Sequence, residues 1–163
     1  MSAGRTLLLI IFSLLAVLSK GQQDARRLYE GNLLYERDRL AEAVTMYRQA
    51  LEANPANRKA NFNLGDAIYK SAMEVKSGKM PAAVNATVTS DSIAGLMFDA
   101  AAEQFAVVAN SVSDPDTLHR AWHNIGNCYL QKKDYRQAVE AYKKSLRFDP
   151  KDEETRYNLA YAL

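Results

Sequence analysis

The clearest periodicity lies in the C-terminal half of the chain. Tyr135, Ala138, Val139, Tyr142 and Leu146 recur at i, i+3, i+4, i+7 and i+11, which puts them on one face of a helix. Before them, Trp122, Ile125, Gly126 and Tyr129 share a face of their own, and the intervening Lys132-Lys133-Asp134 is polar. Asp149-Pro150 stops the second run, because proline lacks a backbone donor and biases the residue before it away from helix. The pattern predicts two helices joined by a tight turn.

The same pattern recurs upstream. At a lag of 95 residues, Gly31, Asn32, Leu40, Ala43, Val44, Tyr47, Leu51 and Pro55 fall under Gly126, Asn127, Tyr135, Ala138, Val139, Tyr142, Leu146 and Pro150. At a lag of 34 from the first unit, Gly65, Ile68 and Tyr69 fall under Gly31, Leu34 and Tyr35. The second helix of this middle unit is displaced: Phe98, Ala101, Ala102 and Phe105 match Tyr135, Ala138, Val139 and Tyr142. Gly65 and Ala101 stand 36 residues apart, against 12 for Gly126 and Ala138, so an insertion is expected over about 72–94. Its Ala, Val, Ser and Thr content favours a partly ordered loop, with a partner-contact element as the other reading. Asn158, Leu159 and Ala160 repeat Asn124, Ile125 and Gly126, which predicts a further first helix over 153–163.

A helix–turn–helix unit of about 34 residues has the period of the tetratricopeptide repeat. Residues 119–152 resemble that family's consensus, with Trp122, Ile125, Gly126, Tyr129, Ala138, Tyr142 and Pro150 at signature positions and Ser145 where Ala is usual. The first unit keeps Gly31, Ala43, Tyr47, Ala50 and Pro55 but has Arg27 and Glu30 where apolar residues are usual, as an end cap would. The resemblance implies an all-α fold, a right-handed superhelical stack of hairpins. Its parts are repeats over 24–57, 58–118 and 119–152 and a terminal helix over 153–163, the insertion lying in the second repeat. Three runs, 123–127, 142–150 and 152–162, are similar to the small exported proteins of this family encoded in bacterial aerotolerance (Bat) operons. That resemblance implies membrane-anchored partners with von Willebrand A domains.

Residues 1–21 have the layout of a secretory signal. Arg5 gives a positive start, Leu7 to Leu18 is apolar apart from Ser13, and Ser19 and Gly21 set cleavage before Gln22. The apolar run is shorter than the roughly 20 residues that span a bilayer, though an uncleaved anchor remains the alternative. The expected location is the periplasm, with association to the inner membrane through partners or through such an anchor. Loss of Arg5 and Lys20 leaves 19 basic against 19 acidic residues, and a neutral chain is poorly suited to nucleic acid. Cys128, the one cysteine, excludes an internal disulfide and reads as a small buried apolar residue.

No Gly-rich phosphate loop, nucleophile elbow or acid pair at a turn is present, so no catalytic residue, cofactor or metal is expected. His119 and His123 stand four apart, but Arg120 occupies the place of a zinc-protease glutamate, and both read as surface polar residues. The expected function is an adaptor binding a protein or an extended peptide, the alternative a self-assembling subunit or a periplasmic assembly factor. In this family the first helix of each hairpin lines the groove. That rule selects Asn32 and Tyr35, Lys59, Asn63, Asp66 and Tyr69, Arg120, His123, Asn124 and Asn127, and Tyr157. Asn side chains both donate to and accept from a peptide backbone. The family's clamp for a C-terminal carboxylate is incomplete: Asn32, Asn63 and Arg120 fit it, whereas Leu28 and Asn124 stand where Lys and Arg are needed. Tyr157, Ala160 and Tyr161 offer an apolar edge for self-association through the last helix.

Overall fold

The computed structural model describes residues 21–79 and 89–163, so the signal expected over 1–21 lies outside the described residues except for Gly21. The described residues form helices and contain no strand. In chain order these are α1 (21–36), α2 (Leu40–Ala53), α3 (Arg58–Lys76), α4 (Ser90–Ser111), α5 (Pro115–Gln131), α6 (Tyr135–Ser145) and α7 (Glu153–Ala162). They divide into two compact units, one up to Ala60 and one over Asn61–Leu163.

In the first unit, α1 and α2 form one hairpin. Its turn places Asp38 in the left-handed region (φ 61°), and Arg39 N–H closes it on the Leu34 carbonyl at 2.9 Å. α2 buries Leu40, Ala43, Tyr47 and Ala50, the predicted apolar face. The Tyr47 ring fills the notch at Gly31, where an added Cβ would sit 2.6 Å from the ring. Buried Asp24 accepts from Asn54 Nδ2 (2.7 Å) and Asn57 Nδ2 (3.2 Å), tying the start of α1 to the end of α2.

The second unit repeats this construction. Phe105 of α4 fills the notch at Gly65 and Tyr142 of α6 fills the notch at Gly126, with Cβ clearances of 2.8 and 2.4 Å. The α5–α6 turn has Lys133 at φ 61° and closes from Asp134 N–H onto the Tyr129 carbonyl at 3.0 Å, the geometry seen at Asp38. Carboxylates start the helices: Asp114 caps Thr117, Asp134 caps Gln137 and Asp152 caps Glu154. One core cluster joins Val108, Ala109 and Ala121 to Phe62, Leu118 and Trp122; another joins Ala138, Val139, Tyr142 and Ala162 to Tyr129, Leu130 and Leu159. Cys128 is fully buried, and burial pushes its thiol pKa up.

The expected insertion is distributed differently from a loop. Residues 72–76 continue α3 and 90–94 open α4, with Ala72, Val75 and Ala94 buried. Ala, Ser and Val serve helix and loop alike, so composition did not reveal the lengthening. The connection is therefore confined to 77–89, of which 80–88 lie outside the described residues. The extended end of α3 is tied down, since Lys76 Nζ donates to the Gln131 carbonyl (2.7 Å) and Oε1 (3.1 Å). α4 is long and apolar enough to cross a membrane by length and composition. Its Phe98, Phe105 and Val108 are among the most deeply buried side chains, the role of a core helix.

Candidate functional site

The glycine notch determines what the following residue does. Asn127 Oδ1 accepts from Tyr142 OH at 2.7 Å and from Asn158 Nδ2 at 3.2 Å. In the first unit Asn32 Oδ1 accepts from Tyr47 OH at 2.9 Å. These two asparagines hold the tyrosine that fills the neighbouring notch, which is a structural duty. The middle hairpin breaks the pair: Asp66 follows Gly65, and Phe105 has no hydroxyl to offer. Asp66 Oδ1 instead accepts from Asn124 Nδ2 at 3.3 Å. Burial raises the Asp66 pKa to about 6, against the pull of the Arg120 guanidinium. Arg120 lies over the Phe62 ring at 4.9 Å.

His119 and His123 are not the surface polar residues that the sequence suggested. Each imidazole side chain is only 12% exposed. They form the joint between α5 and α7. Asn127 Nδ2 lies 2.9 Å from His123 Nε2, and His123 Nδ1 lies 2.5 Å from Thr155 Oγ1, whose hydroxyl donates to Asp152. His119 Nδ1 is 2.8 Å from Ser145 Oγ, and its Nε2 is 3.2 Å from Asp152 Oδ2. Burial lowers the His123 pKa, opposed by Glu154 and Asp152. Among the described residues no group of three or more His, Cys, Asp or Glu is arranged to hold a metal ion.

Four of the sequence-selected residues, Asp66, Arg120, His123 and Asn124, converge on one cleft of about 440 Å³. Phe62, Asp116, His119, Asp149, Asp152 and Glu154 complete its lining. Of the others in this unit, Asn63 is half-buried on α3 and Tyr157 is exposed on α7. Tyr69 packs on Phe98 at 5.4 Å, and burial raises its pKa to about 12. In the first unit Asn32 serves Tyr47, Tyr35 is half-buried at the end of α1, and Lys59 is exposed. Sequence reasoning missed the acidic lining. Glu154 was within reach, because it occupies in the last helix the place that Arg120 occupies in α5, one repeat of 34 residues earlier. A second cleft of about 640 Å³ lies among α4, α5 and α6; Trp122, with Lys144 at 4.0 Å over its ring, and Tyr129 line it.

Residues 119–152 match the family pattern of the tetratricopeptide repeat, and residues 31–71 match a second pattern described as TPR repeat. These two stretches are tetratricopeptide repeats. Over 139 residues the chain is 29% identical to the BBSome complex member BBS4 of Bos taurus, covering 79% of this chain and 26% of that protein. It thus spans about a quarter of the length of the curated relative it matches. Among solved structures, the Arabidopsis OM64 TPR domain matches with a TM-score of 0.66 at 14% identity, over 88% of this chain and 96% of that one. The first TPR of Spaghetti (RPAP3), bound to the HSP90 peptide SRMEEVD, matches with a TM-score of 0.65 at 15% identity, over 86% and 90%. At these identities the likeness establishes the fold, an all-α arrangement of TPR hairpins.

Proposed function

We propose that this chain is a protein–protein interaction adaptor that takes an extended peptide on the first-helix face of its repeats. The observation that carries this reading is the 440 Å³ cleft, to which α3, α5 and the start of α7 all contribute side chains. The peptide seen on the RPAP3 repeat supports the same mode of use. A photoreactive residue at position 120 in the cleft, paired with one at position 143 on the exposed side of α6, tests it. Crosslinking of one defined partner from 120 and not from 143 is expected; equal capture from both positions overturns the reading.

We infer further that the adaptor is exported and serves a membrane-associated complex of the Bat aerotolerance type, with von Willebrand A-domain proteins as partners. The support is the signal-like layout of residues 1–21 and the similarity of the runs over 123–127, 142–150 and 152–162. Intact-mass measurement of the protein recovered from the periplasm is expected to give a chain beginning at Gln22. A mass that still includes Leu7 to Leu18, from membranes, replaces the soluble periplasmic form with an anchored one. Self-assembly through α7 is the second reading, favoured by Tyr157 and Tyr161 at 72% and 66% exposure. Sedimentation of the chain beside a Tyr157→Glu, Tyr161→Glu variant separates the two readings, a dimer made monomeric supporting self-assembly.

A further inference from the structure

The cleft between α3, α5 and α7 has a charge opposite to that of a carboxylate clamp. Asp66, Asp116, Asp149, Asp152 and Glu154 all line it, and Arg120 is the only lysine or arginine among the lining residues. Phe62 adds an aromatic wall, packed edge-on against Phe105 at 5.3 Å and thereby held in place. We propose that this cleft is a receptor for a cationic side chain, arginine above all, presented by an extended segment of the partner protein. The proposal rests on the peptide-binding reading above and names the chemistry of its partner.

Three observations support it. First, the cleft already holds a guanidinium: Arg120 lies over Phe62 and close enough to Asp66 to pull down its proton affinity. Arg120 is exposed, and its position shows that a guanidinium fits between an aromatic face and a carboxylate here. Second, Asp66 is an acid where the corresponding residues, Asn32 and Asn127, are amides engaged by tyrosine hydroxyls. Phe105 removes that duty here, so the carboxylate is not retained to hold the notch filler. Third, its ionisation is disfavoured by burial, a cost that an incoming cation relieves. A C-terminal carboxylate in the same place meets like charge.

The test uses three short fluorescent peptides in a Gly/Ser frame, carrying arginines, glutamines or glutamates at the same positions. Their binding to the chain from Gln22 onward is read by anisotropy at low and physiological salt. The arginine peptide is expected to bind about tenfold more tightly than the glutamine peptide, with the preference weakening as salt rises, and the glutamate peptide most weakly. Asp66→Asn, Asp116→Asn and Glu154→Gln together are expected to remove the preference while helicity stays unchanged. A control with Glu42→Gln and Glu140→Gln, exposed and outside the cleft, keeps it. Equal binding of all three peptides, or an arginine preference that survives the cleft variant, overturns the proposal. If the arginine peptide fails to bind while the crosslink from position 120 persists, the cation preference falls and the peptide-binding reading stands. Loss of both removes both.

Discussion

Gly126 faces the Tyr142 ring so closely that an added methyl would lie 2.4 Å from ring carbon Cε1. Tyr142 is fully buried and held by Asn127, so it has nowhere to retreat. Gly126→Ala is therefore expected to destabilise the fold by about 1–3 kcal/mol, the cost of overpacking a tight core. Gly95 is the contrast, since it is helical with nothing within 4 Å of its added Cβ. Gly95→Ala is expected to stabilise by about 0.5–1 kcal/mol through a less flexible unfolded chain. Thermal melts of the two variants check both signs. Asp66 yields a pH prediction. Its folded pKa of about 6 lies above the ordinary 3.8, so its contribution favours folding below 3.8 and is lost as pH rises through about 6. Asp66→Asn is then expected to stabilise the fold above that pH by about 1–2 kcal/mol, seen as a higher melting midpoint, with the gain fading as pH falls toward 4. A midpoint lowered at neutral pH contradicts the assignment. The repeat register aligned Gly31, Gly65 and Gly126, and likewise Tyr47, Phe105 and Tyr142, but that each ring fills the notch at its glycine is seen only in the fold. The duty of Asn32 and Asn127 escaped because it depends on a hydroxyl 15 residues away on the opposite helix. The co-occurrence of Asn with Tyr in two units, and of Asp with Phe in the third, was the available signal.

The helices of the first and last hairpins were legible because the apolar period and the prolines after them, Pro55 and Pro150, agree. Helix length was not, since residues 72–76 and 90–94 carry no stop signal and are held by burial and by the Lys76–Gln131 bond. The packing of α7 was equally hidden, because it depends on two histidines that periodicity marks only as polar. Neutral His123 accepts from Asn127 and donates to Thr155; a proton on Nε2 sets two donors against each other. Facing it are also Glu154 at 3.5 Å, Asp152 at 3.8 Å, His119 and the Tyr142 ring. With the folded pKa lowered, its contribution is present above the ordinary value of 6.5 and lost as pH falls below it. Amide hydrogen exchange, corrected for its intrinsic pH dependence, is expected to accelerate in α7 relative to α6 on acidification. Slower exchange in α7 at acid pH reverses the sign and contradicts the joint described here.

For the molecule as a whole, repetition was the strongest signal, and family patterns match over 31–71 and 119–152. Charge behaved in the opposite way. Beyond Lys20 the residues sum to neutral, yet the cleft in the second unit concentrates five carboxylates around one guanidinium. A sum over the chain erases such a site, and only the fold brings Asp66, Asp116 and Glu154 to one opening. If the partner sits in this opening, NMR titration of the labelled chain with the partner crosslinked from position 120 reads it out residue by residue. Shifts are expected to concentrate at Phe62, Asp66, Arg120, Asn124 and Glu154, in the 440 Å³ cleft. Shifts concentrated instead at Trp122, Tyr129 and Lys144, in the 640 Å³ cleft, contradict it.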